Sequence, residues 1–150
     1  MNVPATNQKS CNKKIMLLHF PSFIMTVVIA MMAQKARHSP IPYVSKSLRQ
    51  LKLRPQNMPV QRAYCFTKYA CKIVQRMGLL GSCVIESIVL STLICDQRNV
   101  SIHIGFRSIE KGHTKPVDGH AWVSYQGQNI SDPPVSSKQD FTESTCIKIS

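Results

Sequence analysis

The alternation of apolar and polar residues divides the second half of the chain into one helix and several strands. Residues 83–95 are apolar nearly all round, which predicts a central helix covered on every side. Residues 100–106 instead alternate Val, Ile, Ile and Phe with Ser, His and Gly, the pattern of a half-buried strand. Further strands are predicted at residues 119–125, 128–132 and 146–149.

The first half of the chain has helical periodicity. The apolar run at residues 15–33 is long enough to cross a bilayer, but His19 and Pro21 interrupt it and basic residues flank it on both sides. A buried or membrane-surface helix is therefore favoured over an inserted one. Residues 61–77 predict an amphipathic helix that ends at Gly78. Its predicted apolar stripe is Ala63, Phe66, Tyr69, Ala70, Ile73, Val74 and Met77, and its predicted solvent-facing cations are Arg62, Lys68, Lys72 and Arg76.

Between these two helices, four prolines break residues 38–60 into short pieces, among which residues 44–54 predict a short basic amphipathic helix. A chain of 150 residues can bury one real core, but two full domains are not expected. The predicted organisation is a basic helical extension at residues 1–60 followed by a core at residues 61–150. Helices followed by strands predict an α+β fold.

The charge of the chain is distributed unevenly. Thirteen of the nineteen Lys and Arg precede Glu86, whereas all seven acidic residues lie at or after it. Such asymmetry predicts an acidic partner, either a protein or an anionic membrane surface, with a solvated basic face as the alternative. Nucleic acid is disfavoured because no recognised nucleic-acid-binding motif accompanies the charge.

Six cysteines are scattered through the sequence without a CxxC pair or zinc-ligand spacing. Cys95 falls at the end of the predicted buried helix, and Cys65 and Cys71 lie in the helical pattern before it. This distribution favours buried free thiols over disulfides, and hence a reducing, cytoplasmic location. No metal or organic cofactor is expected.

One cysteine stands where a reactive thiolate is favoured. Cys83 follows Gly81-Ser82 and begins the apolar helix, where free backbone N–H groups and the positive end of the helix dipole stabilise negative charge. His120 and Asp132 follow it in the chain. A thiolate, an imidazole that accepts its proton and a carboxylate that orients the imidazole form an acyl-transfer nucleophile. The backbone N–H of Cys83 is the expected oxyanion donor.

A hairpin is expected to bring the second and third of these residues together. A tight turn at Gln126-Gly127 places residue 132 or 133 opposite His120, so that Asp132 is directly across from it or one residue out of register. Trp122 shares a face with His120 and is expected to wall the site against water and contact substrate. Two other histidines, His103 and His113, remain alternatives for the base.

These motifs have a family resemblance. The residues that carry it are Gly81-Ser82-Cys83 with Ser87, Ile104-Gly105-Phe106, Gly119-His120-Ala121-Trp122-Val123, Gly127 and Asp132. In these residues the sequence resembles the transglutaminase-like cysteine peptidases of lasso peptide biosynthesis, in particular the stand-alone B2 leader peptidases. The resemblance covers about residues 60–135. It implies a papain-like core in which Cys83 is the nucleophile, His120 the base and acid, and Asp132 the orienting carboxylate. It further implies a precursor peptide as substrate, a separate leader-recognition protein and a lasso cyclase as partners.

The sequence departs from that family in two places. Val84 stands where the family usually has leucine after the cysteine. Glu86 lies one helical turn after Cys83 and would disfavour a thiolate if it pointed inward, so it is expected to point outward or to pair with a basic residue.

The expected function is removal of a leader from a ribosomally made precursor. Another transglutaminase-like acyltransferase or peptidase is the alternative within the superfamily. A basic, membrane-associated adaptor with a structural cysteine is the alternative outside enzymes.

Overall fold

Three helices precede a four-stranded sheet along the chain. The computed structural model describes residues 19–36, 58–79, 82–94, 99–108, 117–131 and 142–148. The helices are α1 (Phe20–Lys35), α2 (Val60–Arg76) and α3 (Cys83–Leu93), and the strands are β1 (Val100–Ser108), β2 (Val117–Tyr125), β3 (Gln128–Asn129) and β4 (Thr142–Lys148). This arrangement confirms the predicted α+β class.

The sheet is antiparallel, with the strand order β3-β2-β1-β4. The turn between β2 and β3 has positive φ at both Gln126 (52°) and Gly127 (75°), the conformation of a tight two-residue hairpin. The third strand is shorter than predicted because the Val123 N–H donates to the Ser131 hydroxyl (2.7 Å) instead of continuing the ladder. The last strand is longer than predicted and pairs with β1, away from the hairpin turn.

The helix α3 lies at the centre of the molecule, as its apolar sequence predicts. It contacts α1, α2, β1 and β2. Ile88, Val89 and Leu93 are almost fully buried and share one hydrophobic core with Ile102 and Val123 of the sheet. Each such side chain contributes about 1.5–3 kcal/mol when it is removed from water. Because α3 is covered on several sides, the residue at its start is held firmly against the sheet.

One face of the helix α1 packs into the hydrophobic core. Pro21 lies in its first turn, where a missing backbone N–H costs nothing. Phe23 is buried and meets Phe66 of α2 edge to face, with ring centroids 5.6 Å apart. Burial of this helix against the protein is thus confirmed. Among the described residues, no helix combines the length and apolarity that crossing a membrane requires.

The apolar stripe of α2 differs from the prediction. Ile73 and Met77 are exposed, whereas Cys65 and Cys71 are buried. Because α2 contacts both α1 and α3, its buried face is turned toward those two helices. Gly78 ends the helix as predicted: its φ is +80°, and the amides of Gly78 and Leu79 donate to the carbonyls of Gln75 and Val74.

The expectation that the cysteines are unpaired thiols is wrong for Cys65, which forms a disulfide. Cys71, Cys83 and Cys146 are free. The predicted helix at residues 44–54 also lies outside the described residues, and the domain boundary at residue 60 stays a prediction.

Candidate active site

The start of α3 is fixed by its capping residue. Ser82 has extended backbone angles, and its hydroxyl accepts a hydrogen bond from the Ile85 N–H at 3.2 Å. This is the capping role that the sequence predicts, and such a cap contributes about 1 kcal/mol. Cys83 is therefore the first helical residue, whose own N–H has no acceptor within the helix. This N–H, which belongs to the same residue as the thiol, is the one expected to bind an oxyanion.

Cys83 and His120 line the same cavity, which has a volume of about 130 Å³. The Cys83 thiol lies 4.0 Å from the carbonyl oxygen of Gly119, the residue before His120. Helix α3 thus sets its N-terminus against the beginning of the histidine-bearing part of β2, as the sequence predicts. The other lining residues are Tyr64, Thr67, Lys68, Glu86, Ser87, Leu90, Ala121 and Ser131.

The imidazole of His120 belongs to a row of three stacked rings on one face of the sheet. Its ring centroid is 6.3 Å from that of Trp122, with 15° between the planes, and Trp122 in turn stacks on His103 at 5.5 Å. His103 pairs directly with Trp122 across β1 and β2, and its Nε2 atom is 2.7 Å from the Ser124 hydroxyl. Stacking of this kind restrains the plane of the His120 ring.

The candidate bases differ in whether they line the cavity that contains Cys83. His120 lines the cavity with Cys83, whereas His103 does not, and His113 lies outside the described residues. Trp122 is not among the lining residues either. Trp122 contacts His120 and His103, and a contact of Trp122 with substrate stays a prediction.

Asp132 lies outside the described residues, so its role stays a prediction. The residue before it, Ser131, is described and lines the cavity. Its hydroxyl accepts a hydrogen bond from the Val123 N–H at 2.7 Å, and its own N–H donates to the side-chain oxygen Oδ1 of Asn129 at 3.0 Å. The chain is therefore held against β2 as far as Ser131.

Glu86 pairs with a basic residue, one of the two outcomes expected for it. Its carboxylate is 3.1 Å from the Lys68 ammonium of α2, and the two side chains are 39% and 32% exposed. Both charges act on a nearby thiol. Burial first, and then the negative charge of Glu86, raise the pKa of Cys71 to about 12, against an opposing effect of Lys68. Cys71 is thereby kept as a neutral thiol at neutral pH.

We expect loss of Lys68 to slow alkylation of Cys83. In Lys68→Met the negative charge of Glu86 is left uncompensated at the cavity, which disfavours the nucleophilic thiolate. Because Glu86 is partly solvated, the expected decrease in the rate with iodoacetamide at pH 7 is about two- to tenfold. Peptide mapping by mass spectrometry measures Cys83 separately from the exposed Cys146.

The control for this prediction is Lys72→Met, one turn further along α2 and exposed. It should leave the rate unchanged, and the double variant with Lys68→Met and Glu86→Gln should recover most of the lost rate. An unchanged rate in Lys68→Met would show that the ion pair does not act on Cys83.

The α2 wall of the cavity is the part of the site that the sequence did not identify. Tyr64, Thr67 and Lys68 line it, yet in the sequence they are ordinary positions of an amphipathic helix, and Lys68 is assigned there to solvent. The Thr67 hydroxyl is buried and, within the described residues, has no hydrogen-bond partner. No sequence signal distinguishes these residues, because only the packing of α2 on α3 brings them beside Cys83.

Comparison with known families agrees with this geometry. The family described as "Transglutaminase-like superfamily" matches residues 25–146, a span that contains most of α1, all of α2 and α3, the strands β1 to β3, and β4 as far as Cys146. The chain belongs to the transglutaminase-like superfamily. Membership points to cysteine peptidase or acyltransferase chemistry. No curated protein and no solved structure matches the chain significantly.

Proposed function

We propose that this transglutaminase-like protein is a cysteine peptidase that removes the leader from a ribosomally made precursor in lasso peptide maturation. The observation that carries the proposal is the cavity shared by Cys83, at a helix N-terminus, and His120, on the hairpin strand β2. The resemblance of residues 60–135 to the stand-alone leader peptidases supplies the substrate class.

The proposed reaction passes through a thioester. His120 accepts the Cys83 proton, and the sulfur attacks the carbonyl carbon of the scissile bond. The oxyanion that forms is stabilised by the Cys83 N–H. His120 then gives its proton to the departing amine, which carries the new N-terminus of the core peptide. A water molecule, deprotonated by His120, attacks the thioester, releasing the leader carboxylate and regenerating the thiol.

Two contacts within the site support these roles. Stacking on Trp122 restrains the plane of the His120 ring, which reduces the reorganisation that proton transfer requires. The Lys68–Glu86 ion pair offsets the acidic charge nearest to the nucleophile along α3. Asp132 is the proposed carboxylate that selects the tautomer of His120.

The proposed partners are a separate leader-recognition protein and a lasso cyclase. The basic first half supports this proposal through charge, since a leader bound to an acidic recognition surface would be attracted to it. Lys72 and Arg76, one turn apart on α2, are exposed for such a contact. An anionic membrane surface is the other proposed acidic partner, reached through residues 15–33.

Isotope labelling distinguishes peptide hydrolysis from acyl transfer. The protein is incubated in H₂¹⁸O with a lasso precursor peptide, with and without a leader-recognition protein and with an added primary amine. We expect a single cleavage, faster with the recognition protein, that leaves one ¹⁸O atom in the new leader carboxylate. The fragment masses are read by mass spectrometry. A leader joined to the amine as the main product would establish an acyltransferase instead, and an uncut precursor would contradict the leader-peptidase proposal.

A further inference from the structure

We propose that Phe106 is a substrate-binding residue, and that its ring selects an apolar side chain next to the bond under attack. This inference rests on the proposed function, because it concerns the specificity of the same site. It gives β1 a role in substrate recognition, which neither the pair of Cys83 and His120 nor membership of the superfamily provides.

The position of Phe106 follows from the strand register. Phe106 pairs with Gly119, Ile104 with Ala121 and Ile102 with Val123, so all six residues lie on one face of the sheet. This is the face that packs on α3, because Ala121 and Val123 are buried there and Ala121 lines the cavity. Phe106 therefore lies on the same side of the sheet as the nucleophile.

Burial decreases along this face toward the site. Val100 and Ile102 of β1 are 1% and 0% exposed, Ile104 is half-buried, and Phe106 is 46% exposed. The cover supplied by α3 ends where the helix begins, which is at Cys83. The large hydrophobic side chain beyond that point is consequently left in solvent beside the site.

The ring of Phe106 is close to the reacting thiol. It packs on Gly119, where an added Cβ would stand 3.1 Å from Cε1 and 3.3 Å from Cδ1 of the ring. The carbonyl of the same glycine is 4.0 Å from the Cys83 sulfur. Gly119 thus lies between the Phe106 ring and the nucleophile, and its lack of a side chain leaves room for the ring.

The size of the cavity explains why a substrate needs this second contact. At about 130 Å³ the cavity is smaller than the ~300–1,000 Å³ of pockets that enclose small-molecule ligands. It accommodates about one side chain, and its α2 wall carries Tyr64, Thr67 and Lys68. The remainder of a bound peptide must lie on the open surface around Cys83, where Phe106 offers an apolar contact.

The other exposed large hydrophobic residues of the described chain lie elsewhere: Phe20, Ile24 and Val28 on α1, Ile73 on α2, and Met77 at its end. On the sheet, within the described residues, Phe106 is the one exposed large apolar side chain. An exposed aromatic ring anchored at a reactive site is a strong candidate for binding, since aromatic side chains contribute large contact areas at low entropic cost.

A binding experiment tests the proposal without depending on catalysis. Cys83→Ala protein is titrated with N-acetyl-phenylalanine methylamide and with N-acetyl-glycine methylamide, and dissociation constants are taken from NMR chemical shifts. We expect the phenylalanine compound to bind about tenfold more tightly. Adding Phe106→Thr, a substitution suited to a strand, should remove this preference, and adding Phe106→Leu should keep most of it. If Phe106→Thr does not fold, Phe106→Gln replaces it.

A purely structural role for Phe106 predicts a different result. In protein that retains Cys83, alkylation by iodoacetamide should proceed at the parental rate after the Phe106→Thr change, whereas a distorted site would slow it. Equal binding of the two compounds to the Cys83→Ala protein, or a preference that survives Phe106→Thr, would overturn the proposal. A third outcome is that the phenylalanine compound is preferred and the preference depends on Phe106, but the protein cuts no precursor. That outcome would uphold Phe106 as a binding residue and reject the proposed function.

Discussion

Replacing Cys83 with alanine should abolish precursor cleavage while leaving the fold intact. The thiol lies at the N-terminus of a buried helix, and its side chain is only partly buried, so the loss of one sulfur atom creates little cavity in the core. Removing a nucleophile costs several orders of magnitude, about 10⁴-fold or more in turnover. Turnover is measured by mass spectrometry of the released leader, and folding by the thermal unfolding midpoint.

Two other free cysteines provide matched controls. Cys71→Ala and Cys146→Ala should each retain cleavage, because Cys71 is a buried neutral thiol and Cys146 is exposed on β4. Cys65 is a poor control because its substitution also removes a disulfide. Near-normal cleavage by folded Cys83→Ala protein would exclude this cysteine as the nucleophile.

The second large effect is expected for Asp132→Asn, which should lower turnover by about 10²- to 10⁴-fold with a smaller change in substrate affinity. Stacking on Trp122 fixes the plane of the His120 ring but not which nitrogen faces Cys83. That choice needs a hydrogen-bond acceptor in the plane of the ring, and a carboxylate also stabilises the imidazolium that forms during the reaction. Asparagine keeps the shape of the side chain but removes the charge.

The measurement is kcat and KM for Asp132→Asn, compared with His120→Ala in the same assay. His120→Ala should be inactive because the base itself is missing. If Asp132→Asn turns over at the parental rate while His120→Ala is inactive, Asp132 is a turn residue and another group orients the imidazole.

The local pattern of the sequence determined the elements on which this site is built. The apolar run after Cys83 identified the central helix, Ser82 identified its cap, and Gln126-Gly127 identified the hairpin. Each of these depends on interactions within a few residues, namely helical periodicity, one capping hydrogen bond and positive φ at the turn. The order Cys83, His120 and Asp132 predicted acyl-transfer chemistry, because few other roles need those three groups in one site.

Tertiary structure decided what surrounds these residues. Lys68 was expected in solvent and instead pairs with Glu86, and Ile73 was expected in the core and instead is exposed. Both depend on the rotation of α2 about its axis as it packs against α1 and α3, which periodicity within one helix does not define. The position of β4 against β1, and the proximity of Phe106 to Cys83 through Gly119, likewise arise from contacts between residues far apart in the chain.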